Sequence, residues 1–367
     1  MKNKIKVIHD LNKEETFYQK FFLDEPFLME SGELLKNVSV AYETYGKLNE
    51  EGTNAIIICH ALTGDSHASS YNFPDSREGW WDGIIGINKA FDPEKYFIVC
   101  SNFLGGCYGT TGPASINPTT GKPYNFNFPQ MTVRDMVNLQ YKLIKYLNIN
   151  RIKTITGGSL GGMQTLEWVL MYPEIVDSII PIAVGAKHSA WAIGLNEIQR
   201  KAIMEDPDWN NGNYIEQPKK GLSTARMLAM MSYRSTESFE QKFGREIRHQ
   251  SENESKPFFQ VESYLRYQGQ KLVDRFDANT YLYITRAMDL HDVTKNRGTL
   301  EETLSKIKAP TLSIGIDSDL LYPTSEQKEI ARLILNSKYF EIKSLHGHDA
   351  FLIEFDQLNR AIKEFLN

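Results

Sequence analysis

The chain predicts an α/β fold, with a mostly parallel central sheet, helices on both of its faces and a helical segment inserted late in the core. Three observations lead there. Several strand-like segments are continuous apolar runs rather than alternating ones, which suits strands covered on both faces. Helical patterns separate many of these runs. A Gly157-Gly158-Ser159-Leu160-Gly161 stretch then joins a strand-like segment to a helical one, with the G-x-S-x-G spacing of a tight strand-to-helix turn.

Residues 38–42, 55–59 and 96–100 read as early strands, and residues 136–147 carry apolar side chains at helical spacing. Lys153-Thr154-Ile155-Thr156 is short and β-prone. After it, Met163, Leu166, Val169 and Leu170 recur at helical spacing until Pro173 stops the run. Residues 178–183 form the next strand-like run. Strand signals vanish between about residues 185 and 297, where Met, Arg, Glu and aromatic residues gather in helical stretches such as 225–233. Alternation resumes with a strand at 311–316, a helix at 324–335 opened by a Thr324/Gln327 capping box, a strand at 339–342 and a terminal helix. The expected division is a core from 1–184 and 298–367, interrupted at 185–297 by a helical lid over the carboxyl ends of the strands, where ligands bind in open α/β sheets. The two ends of the lid should lie close together. Residues 206–220 read as a surface loop, and Met227, Met230 and Met231 as lid core.

The chain has 367 residues, 41% of them hydrophobic, enough for one large core plus an insertion. Its 41 basic and 46 acidic residues give a net charge of −5 with no long run of one sign. That balance points away from nucleic acid and from a polybasic membrane patch, and towards small-molecule partners. The first ten residues lack a continuous apolar stretch and no run is long enough to span a bilayer, so a cytoplasmic protein is expected. Cys59, Cys100 and Cys107 show no metal-ligand spacing and read as buried thiols. No motif supports a metal or a bound cofactor.

Ser159 is the candidate nucleophile. It lies at a helix N-terminus, where free backbone N–H groups can hold a developing oxyanion. A serine hydroxyl needs a base, and the base needs an acid to orient it; with this turn they follow in the order Ser, acid, His. Asp317 and Asp319 both come off the 311–316 strand, and the spacing to Pro323 favours Asp319. His346 and His348 both follow the last strand, and Gly347 favours His348. His188, His249 and His291 have weaker claims. For the oxyanion hole, Leu160 supplies one N–H, and Leu62, in the His60-led loop after the 56–59 strand, is assigned the second.

Together these strings resemble the homoserine O-acetyltransferase family of the α/β-hydrolase superfamily. The blocks are His60-Ala61-Leu62-Thr63-Gly64-Asp65-Ser66-His67, Gly79-Trp80-Trp81-Asp82 and Gly105-Gly106-Cys107-Tyr108-Gly109-Thr110-Thr111-Gly112-Pro113. To these add Gly157 to Gln164, Gly221 to Arg226 with Tyr233-Arg234, Asp319 with Tyr322-Pro323, and Gly347 to Leu352. The resemblance implies an α/β-hydrolase fold and a Ser159/Asp319/His348 triad. It further implies that Arg226 grips the amino-acid carboxylate and that Tyr233 and Asp349 shape the substrate site. It also implies acetyl-CoA as acyl donor, L-homoserine as acceptor, a place in methionine biosynthesis, and a homodimer pairing through the lid helices. Succinyl-CoA as donor, serine as acceptor, and a carboxylesterase remain as alternatives from the same machinery.

Overall fold

The structure, a computed structural model, describes residues 5–9, 14–74, 77–248 and 258–367; His249 lies outside them. Strands β1 (Ile5–His9) and β2 (Glu14–Phe22) are followed by a two-stranded ribbon, β3 (Phe27–Leu28) with β4 (Leu34–Leu35). The sheet continues with β5 (Ser39–Tyr45), β6 (Ala55–Ile58), β7 (Phe97–Ser101), β8 (Ile152–Gly158) and β9 (Ile179–Ile182). A second ribbon pairs β10 (Ile247–Arg248) with β11 (Phe258–Phe259), and β12 (Thr311–Ile316) and β13 (Ser337–Ile342) complete the main sheet.

The main sheet runs β1-β2-β5-β7-β6-β8-β9-β12-β13. From β7 to β13 every neighbour is parallel, while β1, β2 and β5 add an antiparallel edge. All residues of β6 and β12 are buried, which explains their unbroken apolar runs: successive side chains point to opposite faces and both faces are covered. Ala55 and Ile57 pack into one core with Met136 and Leu143 of α1 (Val133–Tyr146) and Leu166 of α2 (Leu160–Met171). Ile56 and Ile58 pack into a second core on the other face, with Trp81 and with Leu358 and Ile362 of the terminal helix.

Among the described residues, the stretch that follows β9 carries the helices α3 (Ala190–Met204), α4 (Lys219–Tyr233), α5 (Thr236–Phe243), α6 (Gln260–Val273) and α7 (Ala278–Asp289). The ends of this segment meet, because the His188 N–H donates to His291 O at 3.0 Å and the Val293 N–H to Ala186 O at 3.1 Å. The short α8 (Leu300–Leu304) leads back to the sheet, and α9 (Thr324–Leu333) and α10 (Phe355–Leu366) follow β12 and β13.

Three local expectations are corrected. The Thr324/Gln327 capping box does not form: Pro323 occupies the cap position, Thr324 is already helical, and buried Gln327 instead donates to Val184 O at 3.0 Å. Residues 206–220 are more than a surface loop, since Pro207–Gly212 winds into a 3₁₀ turn that buries Trp209 against Asn279. Of the three methionines only Met230 is buried; Met227 is half-buried and Met231 is 48% exposed.

A buried polar relay joins α1 to α2. Trp168 Nε1 donates to Gln140 Oε1 at 2.7 Å, and Gln140 Nε2 donates to Gln164 Oε1 at 2.7 Å. Trp168→Phe keeps most of the ring volume but leaves a buried carbonyl oxygen unpaired, so it is expected to cost about 1–3 kcal/mol. A lowered urea midpoint with an unchanged slope is the measurement that checks it.

Candidate active site

The strand β8 ends at Gly158, and Ser159 takes φ 58° and ψ −123° before α2 begins at Leu160. Such a backbone is strained for an L-residue, and the neighbouring chain leaves no room to relax it. A Cβ built on Gly157 would lie 2.3 Å from the Cys59 carbonyl oxygen, and one on Gly161 only 2.1 Å from the same atom. Those two glycines therefore let the end of β6 touch the turn. Ser159 itself is 5% exposed and lines a cavity of about 230 Å³.

The loop after β6 is thereby placed beside the first turn of α2. Leu160 opens that helix, so its N–H has no partner within it. The Leu62 N–H has no acceptor among the described residues, although its loop is well tied: the Gly64 N–H donates to Ala61 O at 3.0 Å, and the His60 ring stacks on Phe103 at 4.3 Å. Burial pushes the His60 pKa down to about 4, which leaves it neutral at physiological pH.

On the other side of the cavity, His348 Nδ1 lies 2.7 Å from Asp319 Oδ2, and both side chains are buried. Asp319 Oδ1 accepts the N–H groups of Leu321 and Tyr322 at 2.8 and 2.9 Å. The carboxylate is thus held by the backbone on one oxygen and faces the imidazole with the other. His348 Nε2 is buried, has no hydrogen-bond partner among the described residues, and belongs to a side chain lining the cavity with Ser159. Burial works against the imidazolium, but the Asp319 charge and hydrogen bond outweigh it, with Asp349 adding to them, so the His348 pKa is held above its ordinary value. Of the alternatives, Asp317 faces Ser344 and Lys343, and His346 Nδ1 lies 3.4 Å from Arg234 Nη1. Neither lines the cavity. His188 sits behind Tyr322, 3.2 Å from its hydroxyl, and burial brings the His188 and His291 pKa values down to about 3 and about 4.

Arg226, Tyr233 and Asp349 line the same cavity. The Arg226 guanidinium lies 5.6 Å from the centre of the Tyr233 ring, and it makes no ion pair with any described residue. Asp349 does: its Oδ2 is 3.2 Å from Arg234 Nε, an ion pair too bent to count as a hydrogen bond. Burial raises the Asp349 pKa, against the opposing pull of Arg234, Arg226 and His348. Sequence reasoning passed over Arg234, although it stands next to Tyr233 in one of the quoted blocks. It also passed over Arg275, Trp80, Phe351 and Leu352, which line the cavity too; Trp80 and the last pair fall inside quoted blocks, whereas Arg275 carries no local signal. Among the described residues no three His, Cys, Asp or Glu side chains are placed to hold a metal ion, and no helix is long and apolar enough to cross a membrane.

The parallel sheet, the strained serine turn and the late helical insertion define an α/β-hydrolase fold, and the model of that fold family matches residues 54–355. The chain is 52% identical over 348 residues to a homoserine O-acetyltransferase of Carboxydothermus hydrogenoformans, covering 92% of each chain. A crystal structure of homoserine O-acetyltransferase from Bacillus anthracis superposes with a TM-score of 0.89 at 33% identity, over 95% of this chain and 97% of that one. Esterase E22 superposes with a TM-score of 0.87 at 31% identity, over 95% and 99%. The chain belongs to the homoserine O-acetyltransferase family of α/β-hydrolase-fold proteins.

An imidazole must be neutral at Nε2 to accept a proton, and this one has a raised pKa. The rate of Ser159 acylation by an activated acetyl ester is therefore expected to fall as pH drops through a value above 6.5. Asp319→Asn removes the charge that raises it, so the acid limb should move to lower pH while the maximal rate falls by roughly 10⁴-fold, the loss seen when the equivalent acid of a serine protease is replaced. A pH–rate profile of both proteins reads the shift.

Proposed function

We propose that the protein transfers an acetyl group from acetyl-CoA to the hydroxyl of L-homoserine through an acetyl-Ser159 intermediate, and so serves methionine synthesis. The observation that carries this reading is a single cavity lined by Ser159, by the Asp319-paired His348 and by the cation Arg226, which forms no ion pair with a described residue. Membership of a family whose relatives bear that activity in their names supports it.

In the first half-reaction His348 Nε2 takes the Ser159 proton as Oγ bonds to the thioester carbonyl carbon. The Leu62 and Leu160 N–H groups hold the resulting oxyanion, each contributing about 3 kcal/mol to lowering the barrier. The C–S bond breaks and the CoA sulfur takes the proton from the imidazolium. In the second half, His348 takes the proton of the homoserine hydroxyl, whose oxygen attacks the acetyl carbon; the bond to Ser159 breaks and Oγ recovers its proton. Asp319 holds the Nδ1–H tautomer throughout. Every proton and bond in this scheme is accounted for by groups of the protein and of its two substrates. Homoserine is a zwitterion: Arg226 takes its carboxylate through a planar fork, and Asp349, held by Arg234, faces its ammonium group. Tyr233 shapes the wall between them.

Residues 185–297 act as a lid on a core made of 1–184 and 298–367. Exposed apolar side chains on the lid, including Met231 and Tyr267, support a homodimer that pairs through its helices. The charge balance supports small-molecule substrates rather than nucleic-acid or membrane partners, and a cytoplasmic location is part of the same proposal. The likeness to esterase E22 favours one second reading, hydrolysis of an acetyl ester, because both reactions share the acyl-enzyme and differ in whether water or an alcohol resolves it.

Mixing the protein with acetyl-CoA or succinyl-CoA, and with homoserine or serine, separates these readings. CoA release from acetyl-CoA that depends on homoserine is expected; free acetate formed rapidly without an amino acid would establish the hydrolase instead. Ser159→Ala should abolish the acetyl-enzyme mass adduct. Arg226→Lys should raise the homoserine KM about tenfold with little change in kcat, since a point charge loses the bidentate geometry, and steady-state kinetics reads both constants.

A further inference from the structure

We infer that Arg275 is a positioning residue for the oxyanion hole, through which the inserted helices hold the Leu62 loop in its working geometry. The inference rests on the acyl-serine reading above. Arg275 Nη1 uses its hydrogens on two acceptors, donating to Thr63 O at 2.8 Å and to the Tyr108 hydroxyl oxygen at 2.7 Å. Thr63 directly follows Leu62 in the turn that the Gly64 N–H closes onto Ala61 O.

The turn is gripped from both sides. His60 Nδ1 lies 2.9 Å from Ala61 O, and because a carbonyl only accepts, the neutral ring carries its proton on Nδ1. That contact fixes the peptide group that also bears the Leu62 N–H. Arg275 fixes the peptide group on the far side of Leu62–Thr63. With these two peptide groups held, the Leu62 N–H, which has no acceptor among the described residues, keeps a fixed direction.

Arg275 is itself rigidly mounted, in the corner between α6 and α7. Its N–H donates to Leu272 O at 3.0 Å, and Phe276 beside it is buried with its ring edge-on to Tyr108 at 5.9 Å. Asp277 then caps α7 by accepting the Thr280 N–H at 2.7 Å. A guanidinium this constrained, and already committed to a main-chain carbonyl, suits holding a loop better than following a substrate. Preorganised donors lower a barrier because they need no rearrangement as charge develops; an oxyanion loop without its outer tether loses that advantage.

The test compares wild type, Arg275→Ala and Arg275→Lys in two assays: acylation by an activated acetyl ester, and homoserine-dependent CoA release. Arg275→Ala is expected to lower kcat in both by about ten- to a hundredfold while the homoserine KM stays within about twofold. Added guanidinium ion should restore part of the Arg275→Ala rate, and Arg275→Lys should keep more activity than Arg275→Ala. A raised homoserine KM with kcat intact would overturn the inference by making Arg275 a substrate ligand. So would unchanged rates, or a loss that comes with a lowered Tm and no guanidinium rescue. The ester assay needs neither CoA nor homoserine: wild type that acylates from the ester yet releases no CoA would sink the proposed substrates, while the Arg275 comparison on the ester would still be decided by its own outcome.

Discussion

The contact of one carbonyl oxygen, that of Cys59, with the backbone at Gly157 and Gly161 sets the geometry of the whole site. Any side chain at either glycine would collide with that oxygen, so the end of β6 and the start of α2 come this close only because two Cβ atoms are missing. From that approach the rest follows. The loop running on from Cys59 is delivered alongside the helix N-terminus, so that Leu62 lines the same cavity as Ser159. The same tightness imposes a positive φ on Ser159, a strain tolerated because the surrounding sheet and helix are buried and close-packed.

Charge is distributed around this frame with a clear asymmetry. The core contributes the His348–Asp319 pair, deep and almost without solvent, in which the carboxylate is satisfied by main-chain donors and one imidazole nitrogen has no partner among the described residues. The inserted segment contributes cations: Arg226 and Arg234 from α4 and its end, and Arg275 from the α6–α7 corner. Asp349 stands between the two sets, one residue beyond His348 and ion-paired with Arg234. On the proposed acyl-serine reading, hydrolysis and transfer would both use the core half of the arrangement, and the choice between water and an amino-acid alcohol is assigned to the inserted half, where the cations are. The insertion also reaches the core directly, because the Arg275 cation donates to a main-chain carbonyl of the Leu62 loop, which is the contact the proposed tether rests on.

Much of this was legible in the sequence, and the exceptions have physical causes. The 311–316 run matches β12 at both ends, because a central parallel strand buried on both faces must be apolar throughout. Strands β1 and β2 went unread, since an antiparallel edge needs no continuous apolar run. The Thr324/Gln327 pattern misled because a capping box is defined by which residue occupies the cap, and Pro323 took that place. Ser159, Asp319 and His348 could be singled out because each lies in the connection that follows a strand and has a recognisable local neighbour: flanking glycines, a following proline, a preceding glycine.

The sequence by itself determined the α/β alternation, the position of the serine turn and the order in which the acid and the base follow it, since each of these is written in spacings of a few residues. Only the tertiary structure decided that His348 Nε2 has no partner among the described residues, that Asp349 comes already paired with Arg234, and that Arg275 holds a carbonyl 212 residues away. Periodicity tells a side chain which face of its own element it occupies. What it meets across the fold depends on how separate elements pack, and no local pattern carries that information.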